Sequence, residues 1–210
     1  MKIRARDFFS KTEKEKIRQA VGEAEKSTTG EIAVMVVDES DRYRDAEMLG
    51  ALLFSGLISL VLALALHHIT IWFYIPTVTV LFFPFWYLFK QMPHLKLALV
   101  NHHQADGAVR DRAILSFYEK GLHRTRNETG ILIFISLLER RVWILGDKGI
   151  DEKIEEDFWG SLVMELTNGI RDGRTLDALC GVIAKCGDEL ARHFPGTPDD
   201  TNELPDDVIS

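Results

Sequence analysis

The chain has 210 residues, of which 46% are hydrophobic and 27% are charged, and its formal net charge is −7. This composition excludes a collagen-like, low-complexity or fully disordered chain, and the length predicts one domain or a domain with an appendage. The charge is unevenly distributed, because residues 48–89 contain no Asp, Glu, Lys or Arg, whereas residues 147–210 carry 16 acidic and 6 basic side chains. An acidic C-terminal third repels phosphate backbones, which argues against nucleic acid as a partner.

The first predicted elements are a helix and a strand. Ser10 and Glu13 form a capping-box pattern, which predicts a helix over residues 11–27. The run Glu31 to Val37 (EIAVMVV) is apolar at both parities and rich in β-branched residues, as is typical of a strand buried on both faces. The first 30 residues contain no apolar segment followed by a small-residue cleavage site, so we expect no secretory signal peptide.

The uncharged stretch predicts a membrane hairpin. It divides at two adjacent histidines into residues 48–66 and residues 69–89. As helices, segments of about 20 residues span about 30 Å, the thickness of the hydrocarbon core of a bilayer. The link between them is only a few residues long, so the two spans should be antiparallel and return both flanks to the same side. The lipid bilayer is therefore the first expected partner.

The charges around the hairpin predict its orientation. Arg42 and Arg44 precede the first span, Lys90 and Lys96 follow the second, and the tip carries histidines alone. The positive-inside tendency then predicts a multi-pass protein of the cell (inner) membrane with both soluble flanks in the cytoplasm. The two unpaired cysteines of the sequence are compatible with that reducing compartment. Two alternatives stay open: a re-entrant second segment, favoured by its two prolines, and a buried helical pair of a soluble protein.

The elements after the hairpin are helices and a pair of strands. Apolar residues at helical spacing predict a helix over residues 101–120. The runs Ile131 to Leu138 and Arg141 to Leu145 predict two strands of an antiparallel hairpin joined by a tight turn. Asp151 is expected to cap the next helix, and a final helix should run to about His193.

The order of these elements predicts one α/β domain that the hairpin interrupts. Neither half alone could cover a strand on both faces, so residues 1–45 and 100–194 should build the domain together. Residues 46–99 then form the transmembrane hairpin. Residues 195–210 are polar and punctuated by proline, so we expect a disordered or loosely attached tail.

Oxygen-bearing side chains flank the predicted strands. Asn127 and Glu128 precede the second strand, while Asp147 and Asp151 follow the third, so an antiparallel pairing places all four at one edge. Asp38 joins them if the first strand is parallel to the third. Such a set of ligands suits a hard cation, Mg²⁺ or Ca²⁺. The alternative is that Asp147 is a turn residue and Asp151 an N-cap, with no ligand involved.

Two parts of the sequence resemble the TPM domain family. They are residues 113–150, with a strand opening after Gly130, an Arg140-Arg141 turn and a Gly-x-x-Gly loop at 146–149, and the segment TGEIAV at 29–34. The resemblance implies an α/β/α sandwich with a central mixed sheet, tethered to a membrane. Some members of the family are described as acid phosphatases, others bind calcium, and others assist the assembly or turnover of membrane complexes.

The sequence contains no catalytic signature, and phosphatase activity is implied by the resemblance alone. Cys186 and Arg192 satisfy the C-x5-R spacing of cysteine phosphatases, but they lie in a predicted helix rather than in a phosphate-cradling loop. We therefore expect a non-catalytic cytoplasmic module that binds a membrane protein complex and aids its assembly or quality control. The alternatives are a divalent-metal-dependent acid phosphatase using the acidic cluster and a passive anchor.

Overall fold

The chain divides into two compact units in the computed structural model. One unit combines Met1–Ser40 with Gly107–Ser210, and the other is Asp41–Asp106. The structure describes residues 4–67, 70–125, 128–196 and 207–209. The helices and strands in chain order are α1 (Ala5–Phe8), α2 (Lys11–Glu25), β1 (Glu31–Val37), α3 (Arg44–Ala65), α4 (Ile71–Gln91), α5 (Pro93–Leu99), α6 (His102–Glu119), a 3-10 turn (Leu122–Arg124), β2 (Gly130–Ser136), β3 (Arg141–Gly146), α7 (Lys148–Asp151), α8 (Glu156–Arg171) and α9 (Thr175–His193).

The described strands form one mixed sheet in the order β1-β2-β3. β1 pairs with β2 in parallel, in a register that places Val34 opposite Ile133, and β2 pairs with β3 in antiparallel, with Ile133 opposite Ile144. The predicted bounds of β1 and the antiparallel pairing of the second and third strands are confirmed. Because β1 and β2 are parallel neighbours, the chain between them is a crossover connection, and it contains α3 to α6.

Helices cover both faces of the sheet, which confirms an α/β fold. Alternate residues of β1 belong to two separate hydrophobic clusters. On one face, Ile32, Val34 and Val36 pack with apolar side chains of α2, α8 and α9. On the other face, Ala33 and Met35 pack with apolar side chains of α6. This two-sided burial explains why the strand lacks a polar face in the sequence.

The α2 helix begins as its sequence predicts. Ser10 Oγ accepts a hydrogen bond from Glu13 N, and the Glu13 carboxylate accepts one from Ser10 N at 2.8 Å. Both halves of the capping box are therefore formed. These hydrogen bonds from Ser10 lower the pKa of the Glu13 carboxyl.

The expected cap at Asp151 is wrong. Asp147 follows β3 directly and caps α7, its Oδ1 accepting a hydrogen bond from Lys148 N at 2.8 Å. Asp151 is the last residue of that one-turn helix, and the long helix α8 begins at Glu156. Because Asp147 caps a helix directly after β3, the one-turn helix α7 forms there and is separate from the long helix α8.

The end of the tail lies beside the sheet. Ile209 forms a parallel bridge with Met35 of β1. Val36 N donates to Ile209 O, and Ile209 N donates to Val34 O, each at 2.9 Å. A disordered or loosely attached tail is the prediction for residues 195–210, of which the structure describes 195–196 and 207–209, and Ile209 lies on the outer side of β1.

The second unit contains the two long apolar helices. By length and composition α3 and α4 could each cross a bilayer. Small residues of α3 at four-residue spacing are buried: Ala51, Ser55, Ser59 and Ala63. Tyr74 of α4 donates from its hydroxyl to the backbone oxygen of Gly56 at 3.3 Å. The two helices thus pack closely through small side chains of α3.

Candidate functional site

The acidic residues at the β2 start and the β3 end lie at one end of the sheet. Asp147 N donates to Gly130 O at 2.9 Å, which joins the residue after β3 to the first residue of β2. Glu128 lies two residues before β2 and has a positive φ of 54°. The Asp147 Oδ2 atom is buried and has no hydrogen-bond partner among the described residues. Asn127, the fourth expected member, lies outside the described residues.

Asp38 lies at the opposite end of the sheet. It directly follows β1, and β1 runs antiparallel to β3 because it is parallel to β2. The condition under which Asp38 would join the acidic residues is therefore not met. Its Oδ1 instead accepts a hydrogen bond from Ala5 N at 2.5 Å, which holds the start of α1 near the end of β1.

The described residues do not assemble a metal site. Within the described ranges, no three side chains of the His, Cys, Asp and Glu types lie close enough together to hold an ion. The positions at the β2 start and the β3 end share an end of the sheet. The Mg²⁺ or Ca²⁺ site stays a prediction.

A buried polar network at the Asp38 end was missed by the sequence analysis. Glu139 is 6% exposed, and its Oε1 accepts a hydrogen bond from Ser40 N at 3.0 Å. Its Oε2 accepts from the Ser136 hydroxyl, which in turn accepts from the Ser40 hydroxyl at 3.0 Å. The signal available in the sequence is a serine at the end of an otherwise apolar strand and a glutamate three residues later.

This Ser-Ser-Glu network fixes the chain where β1 leaves the sheet. Ser136 is 1% exposed, so no substrate can reach its hydroxyl. A buried carboxylate that accepts several hydrogen bonds keeps a fixed position, because losing any of these bonds would leave a buried oxygen without a partner and cost free energy. Ser40 is also the last residue of the first unit before the hairpin segment. The network therefore fixes the backbone at the last residue of the first unit before the hairpin segment.

The cysteine of the C-x5-R spacing is unsuited to phosphate chemistry. Cys186 is fully buried inside α9, and this burial raises the pKa of its thiol to about 12. Cysteine phosphatases need the opposite, a thiolate at neutral pH. Arg192 points to Glu189, with 2.8 Å between Nη1 and Oε2. The position of Cys186 in a helix, rather than in a loop, agrees with the prediction.

An ion pair lies at the base of the apolar helices. Lys96 Nζ of α5 lies 2.6 Å from Glu47 Oε1 of α3, and it also donates to Arg42 O at 3.2 Å. Both side chains are buried. The sequence analysis counts this lysine among the positive charges that flank the hairpin, and in the structure the Glu47 carboxylate pairs with it. The pair ties α5 to the first turn of α3.

The outward faces of α3 and α4 are apolar. Leu57, Trp72 and Val80 are 60%, 88% and 69% exposed, respectively. Of the most apolar 18-residue window, 28% is buried for α3 and none for α4. A core helix of a water-soluble protein would be mostly buried, so these faces are suited to contact with lipid chains.

Comparison with known proteins gives a family match for a segment in the second half of the chain. Residues 92–189, which include β2, β3 and the helices that pack on them, match the TPM domain. The chain carries a TPM domain. The resemblance identified in the sequence is thereby confirmed for that segment. The match extends over α5 to most of α9 and leaves α2, β1 and the apolar helices outside it.

A solved structure has a similar fold. The NMR structure of the BA42 protein from the psychrophilic bacterium Bizionia argentinensis is 22% identical in sequence. The likeness covers 96% of this chain and 94% of that chain, with a TM-score of 0.60. At this identity the likeness shows the fold alone. No curated protein matches the chain.

Proposed function

We propose that this chain is a multi-pass membrane protein whose cytoplasmic TPM domain is a non-catalytic binding module for the assembly or quality control of a membrane complex. One observation carries the proposal: an apolar hairpin, exposed along its outer faces, is inserted between two neighbouring strands of the domain's sheet. An insertion of this kind anchors the domain at two points of its chain. It holds the domain at the membrane surface, where the subunits of a membrane complex are available.

The connectivity supports a hairpin rather than a single crossing. β1 precedes α3, β2 follows α4, and the two strands are hydrogen-bonded neighbours over seven residue pairs. One sheet cannot form across a bilayer, so the chain must enter and leave the membrane on the same side. Arg42, Arg44 and Lys90 at the two ends of the hairpin favour the cytoplasmic side.

The buried state of the reactive side chains supports binding rather than catalysis. Cys186 and Ser136, the thiol and the hydroxyl that would attract attention as nucleophiles, are both inaccessible to solvent. The burial of Cys186 raises the pKa of its thiol, and the Ser136 hydroxyl is committed to Glu139. Loops that follow the strands are occupied by capping and chain-anchoring contacts.

Membrane topology is tested by thiol labelling. In a Cys180→Ser/Cys186→Ala background, single cysteines replace Lys26, His67 or Lys148, all of which are exposed. An impermeant maleimide applied to inside-out vesicles should label the Lys26 and Lys148 sites and not the His67 site, and right-side-out vesicles should give the reverse. Labelling of the Lys26 and Lys148 sites from opposite sides would overturn the hairpin.

Partner binding is tested by purification from native membranes. The full chain, extracted in mild detergent after brief cross-linking, should be recovered with a defined set of membrane proteins in fixed proportion. A membrane protein of similar size, expressed and tagged identically, is the control. Recovery of the chain alone, together with robust hydrolysis of a phosphate ester that Mg²⁺ or Ca²⁺ stimulates, would overturn the binding role in favour of the phosphatase alternative.

A further inference from the structure

The outer side of β1 already holds an added strand segment. Ile209 accepts from Val36 N and donates to Val34 O, each at 2.9 Å, which is the parallel ladder pattern continued by one more residue. β1 is the edge of the described sheet. A sheet edge with backbone groups available to an extended segment is the surface that peptide-binding domains use for strand addition.

The two residues of this segment project to opposite faces of the sheet. Val208 packs against the hydrophobic cluster on the α2, α8 and α9 side, and Ile209 packs against the cluster on the α6 side. Each is partly buried. Backbone bonds provide affinity in strand addition, while alternate side-chain positions provide specificity. The edge therefore selects an extended segment with two consecutive apolar residues.

The available stretch of the edge is short and has defined ends. At one end Ile32 N donates to Glu25 Oε1 of α2 at 2.8 Å, so a side chain occupies that backbone position. At the other end Asp38 holds Ala5 N and thereby the start of α1. The tail residue lies between these two ends. A segment of a few residues fits there, whereas a long partner strand does not.

The tail contact is weak enough to be displaced. It is a single bridge with two backbone hydrogen bonds, and the side chains of Val208 and Ile209 are only partly buried. A segment from another protein that forms the same bonds can therefore exchange with it.

We propose that the β1 edge is a docking site for a short extended peptide of a partner protein, with two adjacent aliphatic residues, and that the chain's own Val208-Ile209 competes for it. The proposal rests on the proposed function, since it specifies the surface by which the TPM domain binds. The tail then limits binding to partners that present their segment at high local concentration, as neighbours in one membrane do.

The test uses the full chain in detergent micelles and a fluorescent peptide of residues 201–210, TNELPDDVIS. Ile209→Asp removes the competing tail, because a carboxylate cannot pack against the α6-side cluster. This variant should bind the peptide at least about tenfold more tightly than the wild-type chain, since a tethered competitor acts at roughly millimolar effective concentration. Ile209→Ala is the milder second variant and should give an intermediate affinity.

Two control peptides test separately whether the backbone donor and the apolar side chains of the peptide are recognised. A peptide methylated on the backbone nitrogen of the isoleucine lacks the donor to Val34 O and should not bind. A peptide with aspartate in place of the valine and isoleucine should not bind either. The proposal would be overturned if the wild type and both variants bound the peptide with equal affinity, or if the methylated peptide bound as well as the unmodified one. It would also be overturned if Ile209→Ala did not bind the peptide while its unfolding midpoint was unchanged.

The outcomes separate this proposal from the proposed function. Cross-linked partners that are recovered equally with the wild-type and Ile209→Asp chains would retain the binding role and reject the β1 edge as the docking surface. Peptide binding that follows the expected order, with no partner recovered from membranes, would retain the docking site and reject the role in a membrane complex.

Discussion

At the scale of single residues, burial decides which side chains could react. The two cysteines lie in the same helix, yet Cys186 is fully buried and Cys180 is only partly so. Burial raises the pKa of both thiols, and the carboxylate of Asp177 raises that of Cys180 further. The C-x5-R spacing suggests catalysis in the sequence, but burial in the folded chain makes the thiol of Cys186 unreactive.

Native alkylation should therefore distinguish the two cysteines. At pH 8, iodoacetamide should modify Cys180 slowly and leave Cys186 unmodified, because a thiol with a pKa of about 12 is almost entirely protonated there. Mass spectrometry of peptides after minutes to hours measures both sites. In denaturant both should react at similar rates. Rapid modification of Cys186 in the folded chain would contradict its burial.

Gly50 is a second residue whose surroundings leave no room for a larger side chain. A Cβ at this position would lie 2.5 Å from Phe89 Cε1, and Phe89 is itself buried. Gly50→Ala should destabilise the α3–α4 packing by about 1–3 kcal/mol, as overpacking does. Thermal unfolding in detergent measures the loss, and Phe89→Leu in the same chain should restore part of it.

The matched control for Gly50 is Gly160. It lies in α8, and a Cβ there meets no atom within 4 Å. Gly160→Ala should be neutral or stabilising by up to about 1 kcal/mol, because alanine restricts the unfolded chain more than glycine does. Equal losses for the two substitutions would show that the close approach at Gly50 does not exist.

At the scale of elements, local contacts set where helices begin and how they are joined. The buried pair Glu47–Lys96 connects the first turn of α3 to α5. Lys96→Met leaves an uncompensated carboxylate and should destabilise the chain by about 3–5 kcal/mol, whereas the double variant Glu47→Leu/Lys96→Met should recover most of the loss. Denaturant unfolding in detergent measures both. A double variant as unstable as the single one would contradict this account.

Loss of the α2 capping box should reduce the stability of the chain less than loss of the Glu47–Lys96 pair, and the reduction should depend on pH. Ser10→Ala should destabilise the chain by about 1 kcal/mol at neutral pH. The pKa of Glu13 is lowered in the folded chain, so its contribution is present above the ordinary glutamate pKa and is lost as the pH falls through the lowered value. The stability difference between wild type and Glu13→Gln should therefore narrow in acid. Urea unfolding between pH 7 and pH 3 measures it, and a constant difference would exclude the charged cap.

At the scale of the whole molecule, the sequence predicts local patterns better than long-range contacts. The bounds of β1 follow from six consecutive apolar positions after Glu31, and the start of α2 follows from Ser10 and Glu13. The strand direction that separates Asp38 from the aspartates after β3 is a property of the topology, which no local pattern encodes. The contacts of Glu139 and Ile209 are likewise made across long stretches of chain.

Membrane association is the prediction that belongs to this scale. The apolar outer faces of α3 and α4 should keep the chain in the pellet when membranes are washed with alkaline carbonate and release it in detergent. A variant with Leu57→Asp and Val80→Asp, both exposed positions, should be extracted more easily. Recovery of the unaltered chain as a detergent-free monomer would contradict the anchor.

The insertion of the hairpin between β1 and β2 also sets an order of events during synthesis. Glu31 pairs with Gly130, so the first strand leaves the ribosome roughly 100 residues before its neighbour, a delay of about 5 to 20 s at ordinary elongation rates. Throughout that interval the nascent β1 is an unpaired apolar segment, and α3 and α4 are synthesised before its neighbour. Under the proposed membrane topology, delivery of the two helices into lipid would precede closure of the sheet, and a chain whose insertion stalled would expose β1 to chaperones and proteases.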